Sequence, residues 1–299
     1  MPETTAEQFR PIEIEGRVTV LEGNGELLKI EATTERSAAE IYLHGAHVTD
    51  FRRKGEPPVL FLSRCSRFSS DQPIRGGVPV IFPWFGPREG EPTHGFARLA
   101  DWNLHEAVAT ADGGLSLRFG LAQMDRWATV SPFTANYVVT VTDRLELELI
   151  LTNTSASQKL PVETCLHTYF SVGDISEVEV SGLEGLPYLD QVENFAPKQQ
   201  GQAPLKIDAE VDRVYLDAPG MVEIRDQRLR RIIRIEKSGS ASTVVWNPWT
   251  RKAQRMPDFG DEEFRQMLCI ESGNVDRNRI VIPPGRSASL KQVISVLPL

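Results

Sequence analysis

The chain has 299 residues, 40% of them apolar and 25% charged, with a formal net charge of −8. That length accommodates two ordinary domains or one large all-β domain, with enough apolar residues for a sizeable core. The acidic balance, with no lysine-rich run, excludes non-specific binding to nucleic acid or to anionic membranes. No apolar stretch approaches the roughly 20 residues that span a bilayer. The N-terminal segment MPETTAEQFRPIEIEG is polar and acidic and lacks a basic-then-apolar signal pattern, so a cytoplasmic protein is expected. Cys65, Cys165 and Cys269 are odd in number and widely spaced, which reads as three reduced thiols.

In chain order, residues 1–16 read as a flexible tail and residues 17–299 as one domain. VTVLEGNGELLKIEA places two apolar runs around Asn24-Gly25, a dipeptide that accepts positive φ and suits a tight hairpin. AEIYLHGAHVTDFRRKG supplies two more strands meeting near Gly45, and PPVLFLS another. After a polar loop comes IRGGVPVIFPWFGPREGEPTHGFAR, from Ile74 to Arg98, a proline-punctuated segment with aromatics in its middle and Arg75, His94 and Arg98 toward its ends. The clearest periodicity follows. Leu145, Leu147, Leu149 and Leu151 alternate with Glu146, Glu148 and Ile150, as in a half-buried strand. LPVETCLHTYFSVGD reads as one strand, residues 181–211 as a long excursion over a sheet, and DFGDEEFRQM as one short helix. About twenty short strands at turn-separated intervals predict an all-β fold, a sandwich or barrel in one large domain.

Few residues qualify for chemistry. Of five histidines, His44 and His47 have helical ligand spacing but sit in a strand-turn-strand, and His105 lies in an alternating strand; all three read as structural. His94 and His167 are open to either a structural or a functional role. No zinc-type cluster, GxSxG elbow or phosphate-cradling glycine loop is present, so neither a metal nor a cofactor is expected. Glu271 ends an apolar run in MLCIESGN. A carboxylate there is costly to desolvate unless it is paired or used, or else it reaches solvent at a turn. Asp212 either caps a turn or orients a ligand hydroxyl. Trp246 and Trp249 in WNPW read as core or cavity wall.

Taken together, IRGGVPVIFPWFGP, HGFAR, ETCLHTYFSVGD, DRVYLD, VVWNPW and CIESGNV resemble, in order and rough spacing, the hexose-6-phosphate mutarotases of the aldose 1-epimerase superfamily. The resemblance runs from about Gly16 to the C-terminus. It implies one large galactose-mutarotase-type β-sandwich and cofactor-free interconversion of aldohexose 6-phosphate anomers. It implies that His167 is the general acid and Glu271 the general base, with Arg75, His94, Arg98 and Asp212 lining the substrate site. Thr93 stands where the family often carries another polar residue such as Gln or Ser, and keeps a hydroxyl there. The basic Thr250-Arg251-Lys252 after WNPW has no role assigned by the resemblance.

These residue types suit the reaction. Opening a pyranose removes a proton from the C1 hydroxyl and delivers one to the ring oxygen, so one base and one acid suffice. Nearby arginines are expected to keep Glu271 ionised, and a carboxylate such as Asp212 to raise the pKa of His167. A neutral His94 is expected to donate to a sugar oxygen. The fork of Arg75 or Arg98 matches a phosphate. The partner is a small-molecule substrate and the protein is expected to be a monomer. Two alternatives remain at this level: an aldose 1-epimerase acting on unphosphorylated sugar, and a non-catalytic carbohydrate-binding sandwich.

Overall fold

The alternating segments assemble into two large antiparallel sheets in the computed structural model, which describes residues 5–122, 132–218 and 220–299. The strands Phe133–Val141 and Leu145–Asn153 pair in register, and burial alternates along both, so that Leu145, Leu147, Leu149 and Leu151 all point into the core. This is the period of two read from the sequence. These strands lie within a nine-stranded sheet. It runs from Leu205–Lys206 through Val178–Ser181, Met221–Asp226, Arg231–Ser238 and Ser287–Pro298 to that pair, and ends with Leu115–Leu121 and Trp102–Ala109.

The second sheet has eight strands. Its order is Ala196–Gln199, Pro187–Asp190, Val211–Tyr215, Ser242–Asn247, Met267–Asn274, Thr164–Leu166 and Val80–Ile81, with Tyr169–Ser171 also paired to Met267–Asn274. The two sheets stack as a β-sandwich around one cluster of buried side chains that extends from Phe9 to Val296. A four-stranded sheet, from Val18–Glu22 to His47–Arg53, adds the N-terminal region. Its first turn is at Asn24-Gly25, where Gly25 has φ 63°.

The strand Met267–Asn274 decides where the site lies. Leu268 and Ile270 join the main core, whereas Cys269 belongs to a separate cluster with Phe61, Tyr169 and Trp246. Successive side chains point to opposite faces of a sheet. Glu271 therefore lies with Cys269 on the face turned away from the sandwich core. In the neighbouring strands Asp212 stands opposite Trp246, and Val244 opposite Glu271.

Several local expectations are corrected. Residues 5–16 do not hang free. Phe9 is buried in the core, Ala6, Ile12 and Ile14 pack against it, and the Val20 amide donates to Glu13 Oε1 at 2.7 Å. The apolar residues in this acidic segment gain more from burial than the short stretch loses in freedom. Residues 1–4 of the expected tail lie outside the described residues. The region 181–211 contributes short edge strands to both sheets rather than an excursion over one. Among the described residues the α-helix is Trp249–Ala253, and the DFGDEEFRQM segment forms turns and a short 3₁₀ segment at Glu263–Gln266. No helix among the described residues is long and apolar enough to cross a membrane.

Candidate active site

LPVETCLHTYFS is not one strand but three: Leu160–Val162, Thr164–Leu166 and Tyr169–Ser171. The interruption falls at His167. Leu166 pairs with Ser272 and Tyr169 with Cys269, so His167 and Thr168 stand against Ile270 and Glu271. The His167 amide donates to the Pro79 carbonyl and the Thr168 amide to the Leu166 carbonyl. This tight turn leaves the imidazole beside the carboxylate, with His167 Nε2 3.2 Å from Glu271 Oε1. Both side chains are buried, at 7% and 1% exposure. The ring of His167 stacks on Tyr169 at 4.8 Å and meets His94 edge to face at 5.7 Å.

A cavity of about 270 Å³ opens onto this pair. Arg75, His94, His167, Asp212 and Glu271 all line it, so the structure brings together five of the seven residues singled out from the sequence. The other two are not on its wall. Arg98 is buried behind it, and its Nη2 donates to the Thr93 carbonyl at 2.8 Å. Thr93 is exposed, and only its backbone takes part, by holding Arg98. The remaining wall includes Phe85, Tyr169, Gln191, Trp246, Lys252 and Met256. Lys252 Nζ lies 3.4 Å from Asp212 Oδ2 and 3.3 Å from Glu210 Oε1, and sits over the Trp246 ring.

Gly76 and Gly77 let Arg75 enter from a crowded crossing. Both have positive φ, and a Cβ on Gly77 would stand 2.2 Å from the Val48 carbonyl oxygen. The guanidinium is then fixed on three sides. Nε and Nη2 donate to Asp258 Oδ2 at 3.1 and 3.0 Å, and Nη1 donates to Tyr169 Oη at 3.0 Å. Burial opposes its charge, but Tyr169 and Asp258 outweigh burial and hold its pKa above the ordinary arginine value.

His94 is held with φ 66° at the turn. The Gly86 amide donates to its Nδ1 at 3.1 Å, so the proton of the neutral ring belongs on Nε2. Burial, followed by Arg98 and Arg75, pushes its pKa down to about 3. The neutral ring with its proton on Nε2 is the form that the sequence expectation requires. His47 is likewise driven to about 3 by burial, and its Nε2 donates to the Gly76 carbonyl beneath the site at 2.7 Å.

The other two electrostatic expectations are reversed. Burial pushes His167 well below the ordinary imidazole value, and His94, Arg98 and Arg75 add to the effect. Burial pushes Glu271 well above the ordinary carboxyl value; Asp212 raises it further, and the opposing effects of Cys165 and Arg98 are smaller. Asp212 therefore acts on Glu271 and does not rescue the charge on His167. The physical reason is position. Both groups lie at the bottom of the cavity, where desolvation exceeds any single nearby charge. His167, Cys269 and Glu271 present ligand atoms within 4.8 Å of one another. Burial and Glu271 raise the Cys269 thiol well above its ordinary value, so the trio holds its protons and fits acid–base chemistry better than metal ligation.

Two residues in this arrangement carried little signal in the sequence. Lys252 was visible as part of a basic triplet, but nothing showed that the short helix would turn it inward. Asp258 was one carboxylate among several in DFGDEEF. The depressed histidines have a measurable consequence. Unfolded, each takes up a proton below about pH 6.5, whereas His47 and His94 stay neutral in the fold until about pH 3. Stability should therefore fall as pH drops, by about 1.4 kcal/mol per pH unit for each histidine. Urea unfolding at pH 6.5 and pH 5 measures this, and equal stabilities at the two would refute it.

A two-sheet sandwich that presents a buried histidine–glutamate pair to a small polar cavity defines an acid–base enzyme of the sugar-mutarotase class. Comparison with known proteins agrees. The family model for aldose 1-epimerase matches residues 27–295, and the chain belongs to the aldose 1-epimerase family. It is 35% identical over 272 residues to a Cenchrus ciliaris protein provisionally named glucose-6-phosphate 1-epimerase, covering 87% of this chain and 82% of that one. A protein of the same provisional name from Escherichia coli strain K12 is 34% identical over 264 residues, covering 86% of each. Among solved structures, a provisionally assigned mutarotase from Salmonella typhimurium superposes with a TM-score of 0.87 at 28% identity, over 96% of both chains.

Proposed function

We propose that this protein interconverts the α and β anomers of an aldohexose 6-phosphate, glucose 6-phosphate foremost, with Glu271 and His167 as the proton-transfer pair. The observation that carries the reading is their contact, 3.2 Å across the floor of a cavity large enough for one hexose. Both groups are driven toward neutrality. The neutral pair and the charged pair, Glu⁻ with HisH⁺, hold the same number of protons, so one proton moving across the contact arms the site.

In the reaction, Glu271 accepts the proton of the C1 hydroxyl while the bond from C1 to the ring oxygen breaks. His167 delivers its proton to that oxygen, leaving an open-chain aldehyde and a C5 hydroxyl. Rotation about the C1–C2 bond presents the other carbonyl face, and the two groups exchange roles on closure. His94 donates from Nε2 to a sugar oxygen, and the Trp246 and Phe85 rings pack against the sugar's C–H faces. Asp212 accepts from a hydroxyl.

The phosphate falls to the two cations on the cavity wall, Arg75 and Lys252. Arg98, behind the wall, supports the loop through Thr93 instead. The provisional names of the relatives favour a phosphorylated substrate. Residues 17–299 act as one catalytic domain, and the protein works as a cytoplasmic monomer on a small-molecule substrate without a cofactor.

Saturation-transfer NMR of anomer exchange, with glucose 6-phosphate and glucose in parallel, tests the reading. Glucose 6-phosphate should be the better substrate. Lys252→Gln and Arg75→Ala should each raise its KM by about 10- to 100-fold, the value of a charge-assisted hydrogen bond, and should affect glucose far less. Faster exchange of glucose would make the protein an aldose 1-epimerase for free sugars. Tight binding without exchange above background would make it a carbohydrate-binding sandwich.

A further inference from the structure

The buried thiol of Cys165 has no part in the scheme above, yet it touches the carboxylate on which the scheme depends. Cys165 lies on Thr164–Leu166 opposite Gly273, in the strand that carries Glu271. Gly273 makes room for it, since a Cβ there would fall 2.9 Å from Cys165 Sγ. The thiol is fully buried among Ile81, Val214, Val244 and Val275, which offer it no polar partner. Its Sγ–H donates to Glu271 Oε2 at 3.6 Å. The two oxygens of Glu271 are thus held from opposite sides, Oε1 by His167 and Oε2 by Cys165.

We propose that Cys165 is a positioning residue for Glu271, its thiol holding Oε2 so that Oε1 faces His167 and the substrate, and tuning how readily the carboxylate gives up its proton. The proposal rests on Glu271 being the base. The physical argument is the choice of donor. A buried carboxylate with no donor stays protonated to high pH and is a poor base at neutrality. One gripped by several strong donors is ionised but too weakly basic. A thiol is a weak donor and sits between these limits, favouring the ionised form a little. The other groups acting on Glu271 are His167 in contact, the Cys269 thiol beside it, Asp212, which opposes ionisation, and Arg98, which favours it. Among the described residues, the side-chain hydrogen bond on Oε2 is the one from Cys165.

The test is the pH profile of kcat/KM for glucose 6-phosphate anomer exchange. Cys165→Val fills the apolar space without a donor, so Glu271 should lose its proton less readily. The alkaline limb, where the one-proton pair loses its last proton, should then move to higher pH by about half a unit, the equivalent of one weak hydrogen bond, and the plateau should fall about threefold because less of the pair is in the Glu⁻–HisH⁺ form. Cys165→Ser restores a donor and should not move the limb upward. Thermal melts identify any variant that fails to fold, and Cys165→Ala then substitutes for Val with the same expected shift. An alkaline limb unchanged in Val and Ala, or shifted equally in Ser and Val, overturns the proposal. Absence of exchange in the wild-type protein would instead overturn the function on which it rests, so the two failures are distinct.

Discussion

Glu271→Gln is expected to lower kcat for anomer exchange by about 10²- to 10⁴-fold while leaving KM nearly unchanged. The substitution keeps the shape of the side chain and removes its capacity to accept a proton from the C1 hydroxyl. The proposed recognition groups are others on the cavity wall, chiefly Arg75, His94, Asp212 and Lys252, so binding should survive. The same variant should be more stable than the wild type at neutral pH. The sign follows from the raised pKa of Glu271. Below the ordinary carboxyl value the group is protonated in both folded and unfolded chains and costs nothing. As pH rises past that value, the unfolded chain loses its proton first and is stabilised relative to the fold. Glutamine has no such penalty, so its advantage should be present at pH 7 and absent below about pH 4. Paired thermal melts at the two pH values, with exchange rates by NMR, check both halves. Wild-type exchange rates in Glu271→Gln would remove Glu271 from the mechanism.

His167→Ala is expected to produce a loss of the same order, again in kcat. In the proposed scheme His167 delivers the proton to the ring oxygen and is the partner with which Glu271, 3.2 Å away, exchanges it. Because one proton serves both groups, their effects should not add. The double variant should be little slower than the worse single variant, since removing either partner already disables the pair. The site of the lost ring opens onto the cavity, so added imidazole should recover part of the rate in His167→Ala and none in Glu271→Gln. Rate losses that multiply in the double variant would mean that the two residues act independently.

Arg75 illustrates how far the sequence could be followed. The resemblance placed it at the substrate site, and it lines the cavity. Its partner Asp258 lies 183 positions along the chain, and no local pattern distinguishes that carboxylate from its neighbours in DFGDEEF. Arg98 shows the opposite case. The resemblance placed it at the substrate site, whereas in the fold its Nη2 donates to the Thr93 carbonyl and it is not among the residues lining the cavity. The strand-by-strand reading failed at LPVETCLHTYFS for a related reason. The alternation is continuous in sequence, and the interruption at His167 is imposed by Pro79 and by pairing with Met267–Asn274.

The sequence by itself determined an all-β fold and singled out the histidine and the glutamate that the structure brings into contact. Period-two burial is written locally, and the motifs around His167 and Glu271 are contiguous. Tertiary structure alone decided the charge states, the inward turn of Lys252, the clamp of Asp258 on Arg75 and the thiol on Glu271. Each of these depends on how much water burial removes and on which distant groups are brought within a few ångströms, and neither quantity is a property of neighbouring residues in the chain.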